Sequence, residues 1–339
     1  MSNRLKKHAL AAAALGLGLA LVSPPAGQAA PVAAAACTWQ ATSWDLPAET
    51  NGGVLEGYSG SRYAVGTTGR FVPLSGLVDP RGTLWDNGKV VQRATAATPG
   101  YRDVNAAGRI VGYDYVNGRL VGVTIGRDGS ATPLPGNPAW DGYSAELVNN
   151  AGDVVGYADI GTRDVVVLWP ASAPGTYREL PSPTDVRTIH PVDVDEQGRI
   201  VATTGTSWGG GLVRDTDGQW RVLAAQVAGG YSNPNAIRNG RVVGSQGTDS
   251  GHAATEWTAR GVLVRTFRNS GSASAIGGNG TVGGRTTVSA GQRTVLWRDG
   301  VVVEQPATVP WTFQLRWISD DESTLVGSDG GRPVQHRCS

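Results

Sequence analysis

Few residues of this chain are spaced for chemistry. Gly278-Asn279-Gly280-Thr281-Val282-Gly283 fits G-x-G-x-x-G, a pattern whose glycines let a backbone approach a pyrophosphate at a helix start. No helical periodicity follows it and no βαβ unit surrounds it, so nucleotide binding is not expected. Ser250 in Thr248-Asp249-Ser250-Gly251 would need a base to become a nucleophile. His252 stands two residues away, too local to define a triad, and the segment falls where a hairpin loop belongs. Glycoside hydrolysis needs paired carboxylates, and the candidates are Asp103, Asp193, Asp195, Asp320 and Asp321. Each also suits the simpler role of capping a turn, which is the favoured reading. His190, His252 and His336 are scattered, so no metal cluster and no cofactor are expected. Calcium held by loop aspartates is the one metal chemistry left open. No catalytic constellation emerges, and the chain does not read as an enzyme.

The start of the chain has another purpose. Arg4, Lys6 and Lys7 precede an apolar run from Ala9 to Val22, and Gly27-Gln28-Ala29 offers a cleavage site. Residues 1–29 therefore read as a secretory signal peptide and 30–36 as an Ala-rich lead-in. Residues 37–339 form one domain, expected to be secreted and extracellular. No other apolar run is long enough for a membrane span. Ala34-Ala35-Ala36-Cys37 could instead be a lipoprotein acylation site, but the apolar run ends well before it and Cys338 would lose its partner. Removing the three signal cations from 29 Lys+Arg leaves 26 against 28 acidic residues. With no basic stripe, nucleic acid is not an expected partner.

What must position any site is a repeat. "NNAGDVVG" at 149–156 returns as "NAAGRIVG" at 105–112, "DEQGRIVA" at 195–202 and "RNGRVVG" at 238–244. The valine before its second glycine recurs as Val65, Val111, Val155, Val201, Val243, Val282 and Val326, at intervals of 46, 44, 46, 42, 39 and 44. A preceding apolar column runs Val104, Val148, Val194, Ile237, Ile276, Ile318. A second signature follows each unit, as in "TLWDNG" ending at Gly88 and "TVLWRDG" ending at Gly300. Asp215-Thr216-Asp217-Gly218 is the same turn. Each unit thus reads strand, Asn/Gly turn, strand ending Val-Gly, variable loop, strand ending near Trp, Asp-Gly turn, strand. Four strands in about 43 residues is a propeller blade. The chain is expected to be all-β, a seven-bladed β-propeller of four-stranded blades, and a monomer by itself. Gly152 should serve a positive φ in the first turn, and Gly156 a close pass to a neighbouring blade.

The ends explain the cysteines. The last unit stops at its third strand, while 37–47 has no unit of its own and looks like a fourth strand. Pairing it into the last blade closes the ring. Cys338 is expected in the column of Trp85, Trp169, Trp257 and Trp297, with a Cys37–Cys338 disulfide locking the seam. Chain-entropy arguments give about 5 kcal/mol for so long a loop.

The pattern Ile/Val-Asn-x-x-Gly-x-Val-Val-Gly, matched at 103–112 and 147–156, and Gly251-His252-Ala253-Ala254-Thr255-Glu256-Trp257, with Ala254 where Phe is usual, resemble the bacterial extracellular HAF-repeat family. The resemblance covers nearly all of 37–339 and implies a secreted, propeller-like repeat protein. It implies no activity.

The remaining signal is aromatic. Trp140, Trp208 and Trp311 lie in expected loops, joined by Tyr101, Tyr143, His190 and Tyr231. In a propeller, loops between fourth and first strands and between second and third strands open on one face. Rings there either fold onto the blade tops and cap the core or stay at the rim and take a ligand; the two readings are close. The ligand-binding reading makes the chain a lectin-like, non-catalytic module for envelope or environmental carbohydrate. A secreted or cell-surface protein partner is the alternative, as in an interaction platform or an adhesin component. A glycoside hydrolase or lyase with carboxylates at the propeller mouth is the third.

Overall fold

The structure is a computed structural model that describes residues 37–339, except 184–185, 206–209, 249–250, 269 and 287–291. The expected signal peptide and lead-in lie outside the described residues. Seven four-stranded antiparallel sheets follow one another. The chain begins with β1 (Trp39–Ser43), which waits for the last sheet. Blade 1 is β2 (Gly52–Tyr58), β3 (Tyr63–Val72), β4 (Gly76–Asp86) and β5 (Lys89–Arg93). Blade 2 is β6 (Gly100–Val104), β7 (Ile110–Val116), β8 (Arg119–Ile125) and β9 (Ala131–Pro133). Blade 3 is β10 (Gly142–Val148), β11 (Val154–Ile160), β12 (Arg163–Trp169) and β13 (Arg178–Leu180). Blade 4 is β14 (Ile189–Val194), β15 (Ile200–Thr204), β16 (Gly211–Arg214) and β17 (Trp220–Val222). Blade 5 is β18 (Ser232–Arg238), β19 (Arg241–Thr248), β20 (Gly251–Thr258) and β21 (Leu263–Thr266). Blade 6 is β22 (Ser270–Ile276), β23 (Val282–Thr286), β24 (Thr294–Arg298) and β25 (Val301–Glu304). Blade 7 is β26 (Gln314–Ile318), β27 (Thr324–Asp329), β28 (Arg332–Cys338) and, outermost, β1. The chain is a seven-bladed β-propeller.

The repeated Val-Gly marks a bulge. In every blade the first strand slips register against the second opposite this position, as between Ala145 and Leu147 in blade 3 and between Tyr101 and Asp103 in blade 2; blade 6 slips a second time, between Ser270 and Ser272. The extra residue turns out of the ladder. The glycine of the second strand faces that slip. A Cβ on Gly156 would lie 1.9 Å from the Ser144 carbonyl oxygen. The close pass expected for Gly156 is therefore made by its own blade's first strand, not by a neighbouring blade. Gly152 has φ +90°, as its turn requires.

Register corrects two columns. Ala275 faces Gly283 and Ile276 faces Val282, so in blade 6 the place of Val155 is held by Gly283, one residue beyond Val282. In blade 7 Leu325 faces His336, just as Val154 faces Trp169. His336, not Cys338, fills the tryptophan column; the strand runs two residues past that position to reach the disulfide. The His336 ring is buried 4.6 Å from the Phe313 ring. Neither ring nitrogen has a hydrogen-bond partner among the described residues, and burial holds its pKa below the usual histidine value.

The tryptophans of this column join blades. Trp85 Nε1 donates to the Asp45 carbonyl (2.8 Å), Trp169 Nε1 to Pro135 (2.7 Å) and Trp257 Nε1 to Ala224 (2.7 Å). Each acceptor lies just past the outermost strand of the preceding blade. The indole thus buries its ring and satisfies its N–H together. Trp297 packs on Phe267 instead, with ring centroids 4.8 Å apart.

β1 pairs with β28 from Trp39↔Cys338 to Ser43↔Val334. The Cys37–Cys338 disulfide bridges 301 residues. Loop-closure entropy for that span is worth about 5–6 kcal/mol before denatured-state corrections. Replacing Cys37 by Ser should lower the melting temperature by at least several degrees. Thiol titration of the unfolded, unreduced wild type should find no free thiol; two would contradict the closed seam.

Candidate functional site: the central channel and the rim

The seven bulges place Glu56, Arg102, Glu146, Val192, Asn235, Ser274 and Arg316 at one level of the innermost strands. Around them a channel of about 640 Å³ is lined by residues of every blade. Its charges are not evenly spread. Arg102 lies 3.3 Å from Glu146 and 3.8 Å from Glu56, one cation between two carboxylates. Burial still raises both glutamate pKa values, against the pull of Arg102. Val192, Asn235 and Ser274, from blades 4 to 6, carry no charge.

The candidate acids are committed to structure. Asp103 accepts from the amide of Val104 and, across the blade boundary, from Val148, both at 2.8 Å. Asp193 repeats this with Val194 and Ile237, again at 2.8 Å. Each clamps its own first strand to that of the next blade. Burial pushes the Asp103 pKa up to about 8 and that of Asp193 to about 7, against these hydrogen bonds. Asp195 caps its turn through Gln197 and Arg199 amides and reaches Gly240 N of the next blade. Asp321 caps through Ser323 N, and Asp320 is ion-paired with Arg238. Among these five, turn capping describes Asp195 and Asp321. Asp103 and Asp193 brace blades instead, a role no spacing signals.

The seven rim aromatics divide. Tyr101 is 1% exposed, lies against Gly82 and accepts at its hydroxyl from Gln92 Nε2 (2.7 Å). Trp140 is 2% exposed, donates to Glu179 Oε1 (2.9 Å) and stacks edge-on against Tyr143 and Tyr177. Tyr143 is buried over Gly136 and donates to the Leu134 carbonyl (2.6 Å). These three offer no free ring to a ligand: they are caps, because a glycine beneath or a polar partner beside each makes burial cheap. Tyr231 is half-buried and hydrogen-bonded to His252 Nδ1. His190 is partly exposed, edge-on to Tyr157 and 3.9 Å from Asp164. Asp164 faces Asp159 across β11 and β12; burial and this like charge raise the Asp159 pKa. Trp208 lies outside the described residues, as does Ser250. Among the six that are described, Trp311 is the most exposed, at 72%.

Other exposed apolar side chains share its face. The β3–β4 hairpin has strands of 10 and 11 residues. It carries Phe71, 54% exposed, and Leu74, fully exposed at the tip. Tyr115, 57% exposed, and Val116 flank the β7–β8 turn. All sit at second-to-third-strand turns, and Trp311 at a fourth-to-first-strand loop, so they open at one end of the propeller over blades 7, 1 and 2. Among the described residues no three His, Cys, Asp or Glu form a metal-holding group.

No family model matches the sequence, and no curated protein matches it. Solved structures do match in fold. A Mycobacterium tuberculosis puromycin-hydrolysing peptidase is 15% identical with TM-score 0.55, over 84% of this chain and 51% of that one. The β-propeller domain of the trilobed protease from Pyrococcus furiosus, with an open velcro topology, is 8% identical with TM-score 0.52, over 85% and 94%. The Cps50 (Swd1) β-propeller domain of Myceliophteria thermophila is 11% identical with TM-score 0.53, over 89% and 100%. This chain spans about half the length of the peptidase, and at such identities the likeness is one of fold alone.

Raised carboxyl pKa values set a sign for pH dependence. The native state binds protons on Asp103 and Asp193 that the unfolded chain releases near pH 4, so stability falls as pH rises toward about 7 and 8. His336, with its lowered pKa, acts oppositely, but only below its ordinary value of 6.5. Chemical denaturation should therefore show stability decreasing from about pH 6.5 to 8.5. Asp103→Asn should flatten that slope, whatever it costs in absolute stability. An unchanged slope would show that Asp103 is ionised throughout.

Proposed function

We propose that this protein is a secreted, non-catalytic binding module that docks a protein partner on the face bearing the second-to-third-strand turns. The observation that carries this is the exposure of Trp311, Phe71, Leu74, Tyr115 and Val116 over three adjacent blades. Isolated apolar residues on a surface need no explanation, but grouped aromatic and aliphatic side chains on projecting elements mark interaction sites. Aliphatic Leu74 and Val116 suit a protein surface better than a sugar ring. With Tyr101, Trp140 and Tyr143 buried, a carbohydrate ligand at this rim would rest chiefly on Trp311.

Two further observations support the reading. The Cys37–Cys338 bridge suits an oxidising compartment. Asp103, Asp193, Asp195, Asp320 and Asp321 are held by backbone amides or an arginine, which leaves them poorly placed for acid–base work. The match to half of a peptidase, and to the propeller domain of a protease, is compatible with a partner that carries its own chemistry.

The test is crosslinking of the purified protein in native culture supernatant, in parallel with a glycan array. The wild type should capture one defined protein. A Phe71→Ser, Leu74→Ser, Trp311→Ser triple variant should lose it while its stability changes by no more than about 1–2 kcal/mol, as exposed sites permit. Glycan binding abolished by Trp311→Ser alone, with no protein captured, would replace the protein partner by carbohydrate.

A further inference from the structure

The channel has a second arginine at the bulge level, and it is not neutralised like the first. Arg102 is held between Glu56 and Glu146. Arg316, on the far side of Glu56, is exposed to the channel. It feels Glu56 only at longer range, with no hydrogen bond and no carboxylate within 4 Å among the described residues. Beside it on blade 6, Arg285 also lines the channel. Its guanidinium donates to the Phe313 carbonyl (2.6 Å), the Trp311 carbonyl (3.4 Å) and Gln292 Oε1 (2.9 Å), all uncharged acceptors. Those contacts fix Arg285 at the start of β26, three residues before Arg316. Burial among neutral groups lowers its pKa. Two guanidinium groups thus line one sector of the channel, neither of them in an ion pair among the described residues. A guanidinium that has no ion partner is open to donate a charge-assisted hydrogen bond to an entering anion.

The rest of this sector is neutral and hydrogen-bonding. Ser272, Ser274, Asn235 and Gln314 line the channel between blades 5 and 7. Asn235 spends its Nδ2 on Ser272 Oγ (3.0 Å) and the Ala273 carbonyl (2.7 Å). That orients its Oδ1 as an acceptor, beside hydroxyls that can donate or accept. A guanidinium fork matches a carboxylate in two parallel bonds. An acceptor and hydroxyls around it match the hydroxyl groups of a sugar ring. The whole channel, about 640 Å³ across the seven blades, has room for a small molecule in this sector. We propose that the sector of the channel between blades 5 and 7 binds a hydroxylated carboxylate, a sugar acid, with Arg316 and Arg285 on the carboxylate and the Asn235, Ser272 and Ser274 side chains on its hydroxyls.

This site is independent of the apolar rim, and either can fail without the other. Its source of ligand is a free sugar acid or the uronate end of a polysaccharide, which share this chemistry. The experiment is calorimetric titration of the full secreted chain with four probes: glucuronate, trigalacturonate, glucose and sulfate. Glucuronate or trigalacturonate should bind, and glucose, which lacks the carboxylate, should not. Binding of trigalacturonate alone assigns the polysaccharide end; glucuronate binding assigns the free acid or a terminal residue. Arg316→Gln should weaken the bound uronate about tenfold or more, the loss expected for one charged hydrogen-bond partner. Because Arg316 makes no hydrogen bond or ion pair among the described residues, the melting temperature of Arg316→Gln should stay near that of the wild type, and Arg316→Lys should recover part of the affinity. Sulfate binding as tightly as glucuronate, uronate binding unaffected by Arg316→Gln, or no uronate binding by a folded sample would each overturn the proposal.

Discussion

The structure depends on one steric constraint: the innermost strand of every blade is bulged where the second strand presents a residue with little or no side chain. At Gly66, Gly112, Gly156, Gly244, Gly284 and Gly327, an added Cβ would fall about 2 Å from a carbonyl oxygen of the first strand. Blade 4 uses Ala202, opposite Pro191. The contact lets the strand shift register by one residue, and the shift throws one side chain per blade toward the axis. Five of those seven residues, Glu56, Val192, Asn235, Ser274 and Arg316, line the channel. The second strand keeps glycine or alanine where it makes the bulge, while the bulged residue itself changes from blade to blade.

Blades are then tied at three levels. Near the first turns, Asn105 donates to the Asn149 carbonyl, Asn150 donates to Glu196, and Glu322 accepts from Asn279 and Thr281 amides. Deeper in the first strands, Asp103 and Asp193 clamp neighbours. At the outer side of the core, the tryptophan column buries its rings and caps the preceding blade. Each tie joins consecutive repeats, so the ring is a chain of nearest-neighbour interfaces. Only the seam must join the two ends of the domain. There the column holds His336 rather than Trp, with no indole N–H to reach back; Trp39 of β1 donates to Glu304 of blade 6 instead, and the disulfide two residues past His336 fastens β1 to β28 within blade 7.

The aromatic residues show how far a sequence can be read. A ring in an Asn/Gly/Pro loop looks exposed in sequence, yet Tyr101 lies over Gly82 of the preceding blade, and Tyr143 folds back over Gly136 in its own loop, a turn that no residue type there announces. Trp140 is drawn in by Glu179 and Tyr177 from the outer part of its own blade. Conversely, Phe71, Leu74 and Tyr115 read as ordinary strand residues. Phe71 and Leu74 are exposed on the long β3–β4 hairpin of blade 1, and Tyr115 beside the β7–β8 turn of blade 2. Burial is a property of the partner, and the partner was far away in sequence.

Period, turn glycines and alternating valines determined the seven blades, their four strands, the composite last blade and the Cys37–Cys338 closure, because those features rest on local backbone needs repeated along the chain. Short range also limited that reading. A one-residue offset in blade 6 and a two-residue offset in blade 7 were invisible until strands were paired, since glycine pairs and strand ends carry no register mark of their own. Only the tertiary structure decided which side chains face the axis, which carboxylates brace neighbouring blades, and which rings stay in water. Those outcomes are set by residues some 40 positions apart meeting across a blade boundary, and no stretch of sequence contains both partners of such a meeting.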